Sequence, residues 1–228
     1  MKKLLSIAVL ALLSANVFAQ SEDLYLYQSS DEVFTMDALS HWGYGDHLVT
    51  TNSFKPSNGG EFFLNILKIK FYPVEYAGLE ISADLRFDHF ASKEDGFRLD
   101  SGNKVQAFKM AGEFGGDIKK VRGWMHVNSF SFPAIIKLGG DKFKIGAGAE
   151  AVVPYRATAN YKYRLDGEKH KNKAKGMEVN KFFYDIVGMV SFNDLSIYGK
   201  YYPKGSTLLP DGSGVDMSFW TLGIGFDF

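Results

Sequence analysis

Over much of the chain, apolar residues recur at every second position with small or polar residues between them. This period predicts β-strands whose two faces lie in different surroundings. At the end of the chain Trp220, Leu222, Ile224, Phe226 and Phe228 alternate with Thr221, Gly223, Gly225 and Asp227, within a strand expected over Val215 to Phe228. Leu195 to Tyr202 and Lys181 to Phe192 repeat the pattern, joined at Asn193-Asp194, a compact hairpin signal. In Phe143 to Tyr163, Ile145, Ala147, Val153 and Tyr155 alternate with Lys144, Gly146, Gly148 and Glu150. Further strands are expected over about Trp124 to Leu138, Leu79 to Phe90 and Phe62 to Tyr72, and a first one within Met36 to Val49.

The connections between these strands sort into two kinds. Pro73–Gly78, Gly139–Lys142 and Asn193–Asp194 are short; Thr50–Gly60, Ala91–Gly123, Arg164–Glu178 and Pro203–Gly214 are long. Short and long loops alternate strictly along eight strands, as in an antiparallel up-and-down barrel with turns at one end and loops at the other. Ala91–Gly123 is long enough to hold a hairpin of its own. Glu168–Lys175 reads as a basic, solvated run, with contact to acidic lipopolysaccharide as the alternative.

The N-terminus adds a compartment. Lys2 and Lys3 precede the apolar run Leu4–Leu13, and Asn16-Val17-Phe18-Ala19 ends in small residues before Gln20. This order marks a secretory signal peptide over 1–19, too short in its apolar core to span a membrane. The expected organisation is therefore a signal at 1–19, a short periplasmic segment at 20–35 and a barrel at 36–228. The signal holds two lysines and no acid, so the mature chain is slightly acidic. That balance gives no electrostatic case for nucleic acid as a partner. The 20 Phe, 12 Tyr and 24 Gly suit tightly packed strands, and the absence of Cys excludes disulfides and thiolate metal sites. Beyond the signal no apolar stretch reaches the roughly 20 residues of a spanning helix. If the chain lives in a membrane, it must do so as a closed barrel.

The signal peptide and the terminal segment Trp220, Leu222, Ile224, Phe226 and Phe228 resemble those of small OmpA/OmpX-like outer-membrane β-barrel proteins, in the form common among Bacteroidetes. The strand–loop rhythm extends the resemblance over most of the mature chain. It implies an all-β, eight-stranded transmembrane barrel in the outer membrane of a Gram-negative cell. It also implies that the terminal aromatic segment is the signal read by the barrel-assembly machinery. The implied partners are outer-membrane lipid and lipopolysaccharide, and the expected state is a monomer. Aromatics near both ends of the apolar faces agree: Phe143 and Tyr155, or Phe182 and Phe192, are spaced to rise roughly 20–30 Å on tilted strands.

An eight-stranded barrel is just wide enough to be filled by its own side chains. Charges on its inner face must therefore be paired. A turn at Pro73–Gly78 places Lys68 opposite Asp84 and Lys70 near Glu80, with Arg86 further along the same face. Asp185 falls diagonal to Lys200, and Glu150 and Arg156 point to one side. These nine residues are expected to form a lumen charge network. Catalytic candidates are thin, and no cofactor or metal is expected. His41, Asp46 and His47 fall short of three or four convergent metal ligands. His126 with Ser129 or Ser131 and Glu113 outlines a Ser/His/acid set, but His126 and Ser129 have opposite strand parity. The expectation is a non-enzymatic barrel with a plugged, charged lumen, structural or surface-interacting through its loops. The alternatives are a lipid-modifying outer-membrane hydrolase and an exported soluble barrel holding an apolar ligand.

Overall fold

The computed structural model describes residues 25–28, 34–114, 118–140, 142–203 and 206–227. The expected signal peptide at 1–19 and Phe228 lie outside them. The strands are β1 (Tyr25–Gln28), β2 (Phe34–Ala38), β3 (His41–Thr50), β4 (Pro56–Val74), β5 (Ala77–Ser92), β6 (Asp95–Leu99) and β7 (Val105–Lys109). A helical turn α1 (Met110–Phe114) leads into β8 (Ile118–Gly139), β9 (Phe143–Leu165), β10 (Glu168–Lys175), β11 (Phe183–Phe192), β12 (Leu195–Tyr201) and β13 (Ser218–Asp227).

Eight of these strands close into a ring in the order β3-β4-β5-β8-β9-β11-β12-β13, every pair antiparallel. Closure is made where β13 pairs with β3, from Ser218 opposite Thr50 to Asp227 opposite His41. The fold is thus the eight-stranded antiparallel barrel that the loop rhythm predicts. The first wall strand is kinked. Between β2 and β3, Leu39 takes a φ of 53°, and the Ser40 amide and hydroxyl both donate to Asn65 Oδ1, at 3.2 and 3.1 Å. Asn65 is fully buried and donates in turn to the Leu67 carbonyl and to Asp84, both at 2.8 Å. It thereby satisfies backbone groups that the kink releases.

The short turns gather at one end. Two-residue connections link Val74 to Ala77 and Phe192 to Leu195, the second through Asn193 at φ 49°, a conformation asparagine tolerates. The first is tighter than the expected Pro73–Gly78, because β4 and β5 run on past their apolar stretches. A bulge at Phe71/Val74 also shifts the register, so Lys68 lies opposite Ser82 rather than Asp84, while Lys70 does face Glu80; a second at Asn65/Leu67 shifts it again beyond Lys68.

At the other end the strands outrun the alternation. The segment Ala91–Gly123 folds as the β6–β7 hairpin with α1. The hairpin backbone sits so close to Gly123 that a Cβ there would stand 2.2 Å from the Asp95 carbonyl. Glu168–Lys175 is not a loop but strand β10, paired with β9 over Thr158–Leu165. The pairing continues through polar sequence that carries no hydrophobic period, because backbone hydrogen bonds need no apolar face.

The two faces of the ring differ in kind. Outside, Ile136, Leu138, Phe143, Ile145, Ile186, Phe192, Ile197, Trp220 and Leu222 are all exposed, with Phe192 at 59 % and Leu222 at 60 %. Inside, charged residues are buried, Arg86 and Asp185 completely. At the long-loop end, a buried apolar cluster that includes Phe54, Phe90, Phe97, Met125, Phe183 and Phe219 closes the interior.

Candidate functional site

The interior holds charge in two tiers, placed there by strand parity. Alternate residues of β5 (Glu80, Ser82, Asp84, Arg86, Asp88) point inward, as do Glu61 and Lys68 of β4 and Lys137 of β8. The tier nearer the loops is centred on Arg86. Its Nη1 lies 3.1 Å from Glu150 and 2.9 Å from Asp185; its Nη2 lies 3.1 Å from both Glu61 and Asp88, and its Nε donates to Asp88. Nη2 also donates to the Tyr202 hydroxyl. Lys200 bridges the same cluster, 2.9 Å from Glu61 and 2.6 Å from Glu150. His47 Nε2 approaches Asp88 at 3.2 Å, and its Nδ1 shares a hydrogen with Thr221 at 2.9 Å. Two permanent cations thus face four carboxylates. The planar guanidinium suits this position, since its five donors can serve several acceptors at once.

The second tier lies toward the short turns. Lys137 reaches Glu80 at 2.7 Å, and Lys68 contacts Asp227 and lies 3.8 Å from Glu80. Tyr72 donates to Glu80 at 2.7 Å, and Lys70 pairs with Asp37 at 2.7 Å. Between the tiers stand Phe63 and Tyr198, in edge contact at 5.6 Å. They fit because β3 and β13 present glycines inward. A Cβ on Gly43 would stand 2.4 Å from the Phe63 ring, and one on Gly223 would stand 2.4 Å from Tyr198. The free space left there is a cavity of about 70 Å³, which Phe63, Tyr198 and the ion pairs line. A larger space of about 440 Å³ opens at the short-turn end beside Lys70, Tyr72 and Lys144.

Eight of the nine residues expected in the lumen face inward: Lys68, Lys70, Glu80, Asp84, Arg86, Glu150, Asp185 and Lys200. Asp84 makes no pair with Lys68; it accepts from Asn65 at 2.8 Å and Ser82 at 3.2 Å, with His41 at 3.7 Å. Arg156 does not join them. A bulge sets Asn128 opposite Arg156 but Ser129 opposite Pro154, and this extra residue turns Arg156 to the outer face, where it is exposed. Glu61, Asp88, His47 and Lys137 join the eight, though none is among the nine expected from strand parity. Asp88 shares the parity of Arg86 and was within reach of that signal; Glu61 lay at the edge of a presumed loop. In the terminal segment, Trp220, Leu222 and Ile224 are exposed on the outer face, and Phe226 stacks on Trp42 at 4.9 Å.

The other candidate sets are not assembled. His126 is exposed on the outer face, Ser129 and Ser131 are fully buried on the inner one, and Glu113 pairs with Arg98 at the surface. His41 and His47 point inward while Asp46 points out. Beyond the barrel wall, the tip of the β6–β7 hairpin is organised by Asp100. The Lys104 backbone N–H, then that of Gly102 and the Gln106 amide, donate to its carboxylate and hold it below the usual range.

The chain matches no family model and no curated protein. Among solved structures it is similar to Ail, the attachment invasion locus protein of Yersinia pestis, at 14 % identity and a TM-score of 0.37, over 86 % of this chain and 97 % of that one. A second structure of Ail, in complex with the heparin analogue sucrose octasulfate, gives 14 % identity and a TM-score of 0.36 over the same shares.

Proposed function

We propose that this protein is an integral outer-membrane β-barrel without enzymatic activity, its lumen plugged by side chains and its long-loop end turned outward as a surface for interaction. One observation carries the reading: the amphipathicity of the barrel is inverted. Isoleucines, leucines and aromatics cover the outside while Arg86, Lys200 and four carboxylates are buried within. In water such a wall would leave a large contiguous apolar surface exposed. In a bilayer the same wall is solvated by lipid, and the closed ring leaves no unpaired strand edge in the hydrocarbon. The N-terminal signal and the alternating C-terminal segment support delivery to the outer membrane.

The lumen supports a plug rather than a pore. The Arg86 tier and the apolar cluster above it fill the interior from the small cavity to the loop end. Fractionation of cells making the full chain, with gel mobility of the unboiled and boiled protein, tests the reading. The expected result is recovery in the outer-membrane fraction with faster migration before boiling. Recovery in the soluble periplasmic fraction would replace it with an exported soluble barrel.

A further inference from the structure

On the outer face of β8, Phe130, Phe132, Ile136 and Leu138 give way toward the loop end to Asn128, His126, Trp124 and Arg122. The neighbouring β9 carries Arg156, Lys162 and Arg164 on that face once its bulge has turned Arg156 outward. The third strand, β10, adds Lys169, Lys171, Lys173 and Lys175. The register brings these into rows: Arg122 opposite Lys162 and Lys162 opposite Lys171, and Trp124 opposite Asn160 and Asn160 opposite Lys173. Arg122 and Lys162 both lie over the Trp124 ring, at 6.0 and 5.7 Å, which fixes them to one face. The reverse face is aromatic and occupied: Tyr163 stacks on Phe114 at 4.5 Å and on His170 at 4.9 Å.

This three-stranded face bears nine cations, Lys119 standing opposite Arg164, and, among the described residues, no carboxylate. Lys119 apart, none of them takes part in an ion pair among the described residues, whereas Arg86, Lys200, Lys68 and Lys137 in the lumen all do. A solvated surface mixes both signs; a face of one sign held rigid by three paired strands is built for an anion. Its position selects the kind of anion. β10 continues along the β9 edge on which β11 lies, so its lysines stand beyond the exposed Phe182 and Tyr184. Arg156 directly follows Tyr155, which packs on Phe130 at 5.1 Å. Cationic and apolar surfaces are thus one continuous outer face, meeting at an aromatic border.

The geometry points to a docking site for a phosphorylated glycolipid of the outer leaflet, the class to which lipopolysaccharide belongs. Its acyl chains lie along Phe130, Phe132 and Val153, and its phosphates are held by Arg156 and Lys162 with the β10 lysines above them. Arginine meets phosphate in a bidentate fork and lysine adds mobile point charge. The inference rests on the membrane reading proposed above and names the lipid that reading would bring to this face.

The test is retention of defined lipopolysaccharide by the purified, detergent-folded barrel after chromatography at low and high salt. Lys171→Glu with Lys173→Glu is expected to lower retention at least about tenfold, and high salt to weaken the unaltered protein's retention. Lys171→Gln with Lys173→Gln, a milder pair, is expected to lower it by less. Fully deacylated phosphorylated oligosaccharide is expected to be retained about tenfold less well than the intact lipid, since it lacks the apolar half of the contact. Equal retention by the variants overturns the inference, and so does equal retention of a dephosphorylated lipid. Equal binding of the deacylated sugar replaces the lipid with a soluble polyanion. Loss of heat-modifiable mobility in the unaltered protein would instead count against the membrane reading itself.

Discussion

At the scale of single residues, Arg86 carries the largest consequence. It is fully buried, and four carboxylates lie within 3.1 Å of its nitrogens. Replacing it by Met keeps much of the volume but leaves Glu61, Asp88, Glu150 and Asp185 facing one another around Lys200. Breaking a buried ionic cluster from one side costs about 3–5 kcal/mol, because the remaining charges have lost their compensation. Arg86→Met is expected to lose that much stability in urea-dependent unfolding of the barrel in lipid vesicles. Asp185→Asn, which relieves an acid-rich cluster, is expected to cost far less, and equal losses would show that Arg86 does not organise the tier. The contrast between Asp88 and Arg156 shows what one sequence position can reveal. Asp88 follows Arg86 at the strand period and could be placed inside by counting. Arg156 follows Glu150 at the same period but sits beyond a bulge, and a bulge in one strand is defined only by the partner it pairs with.

Among the elements, β3 and β13 are held together at positions that look empty. Gly43, Gly45, Gly223 and Gly225 leave the lumen side of this pair bare, and Phe63 and Tyr198 fill the space. Gly223→Val would drive a side chain into the Tyr198 ring, and overpacking of a filled interior costs about 1–3 kcal/mol. The expected outcome is a lower urea midpoint with cell fractionation unchanged; an unchanged midpoint would mean that Tyr198 can move aside freely. Elements also mark where the apolar period stopped being informative. The β11–β12 hairpin was legible because Asn193–Asp194 lies between two alternating runs. Strand β10 was not, since neither of its faces is apolar: lysines line one, and His170 meets Tyr163 on the other. Hydrophobic alternation records where the outer face is apolar, and β8, β9 and β10 extend beyond it.

For the molecule as a whole, the ring is narrow, filled and capped. The space between the charged tiers is about 70 Å³, little more than room for a few waters. The cluster around Phe54, Phe90, Phe97 and Phe219 covers the loop end. Planar bilayers containing the folded protein are expected to show no steady large conductance. A stable open level of porin size would contradict the plugged lumen. Because the charged tiers are built from residues of the barrel wall, shortening the β6–β7 hairpin, which lends Phe97 to the apolar cap, is not expected to open a path through them.

The sequence by itself determined the strand period, the count of eight and the alternation of short and long connections, because each depends on local polarity and turn chemistry. It also determined that charge and apolar groups would occupy opposite faces of the wall. Tertiary structure decided the rest. Which cation meets which carboxylate depends on register, and register here is reset by bulges at Asn65, at Phe71 and opposite Asn128. That Lys171 and Arg122 flank Lys162 in one row, although they are far apart in sequence, likewise exists only once three strands are paired. Ion pairs and docking faces are built across strands, and a period read along one strand is silent about its neighbours.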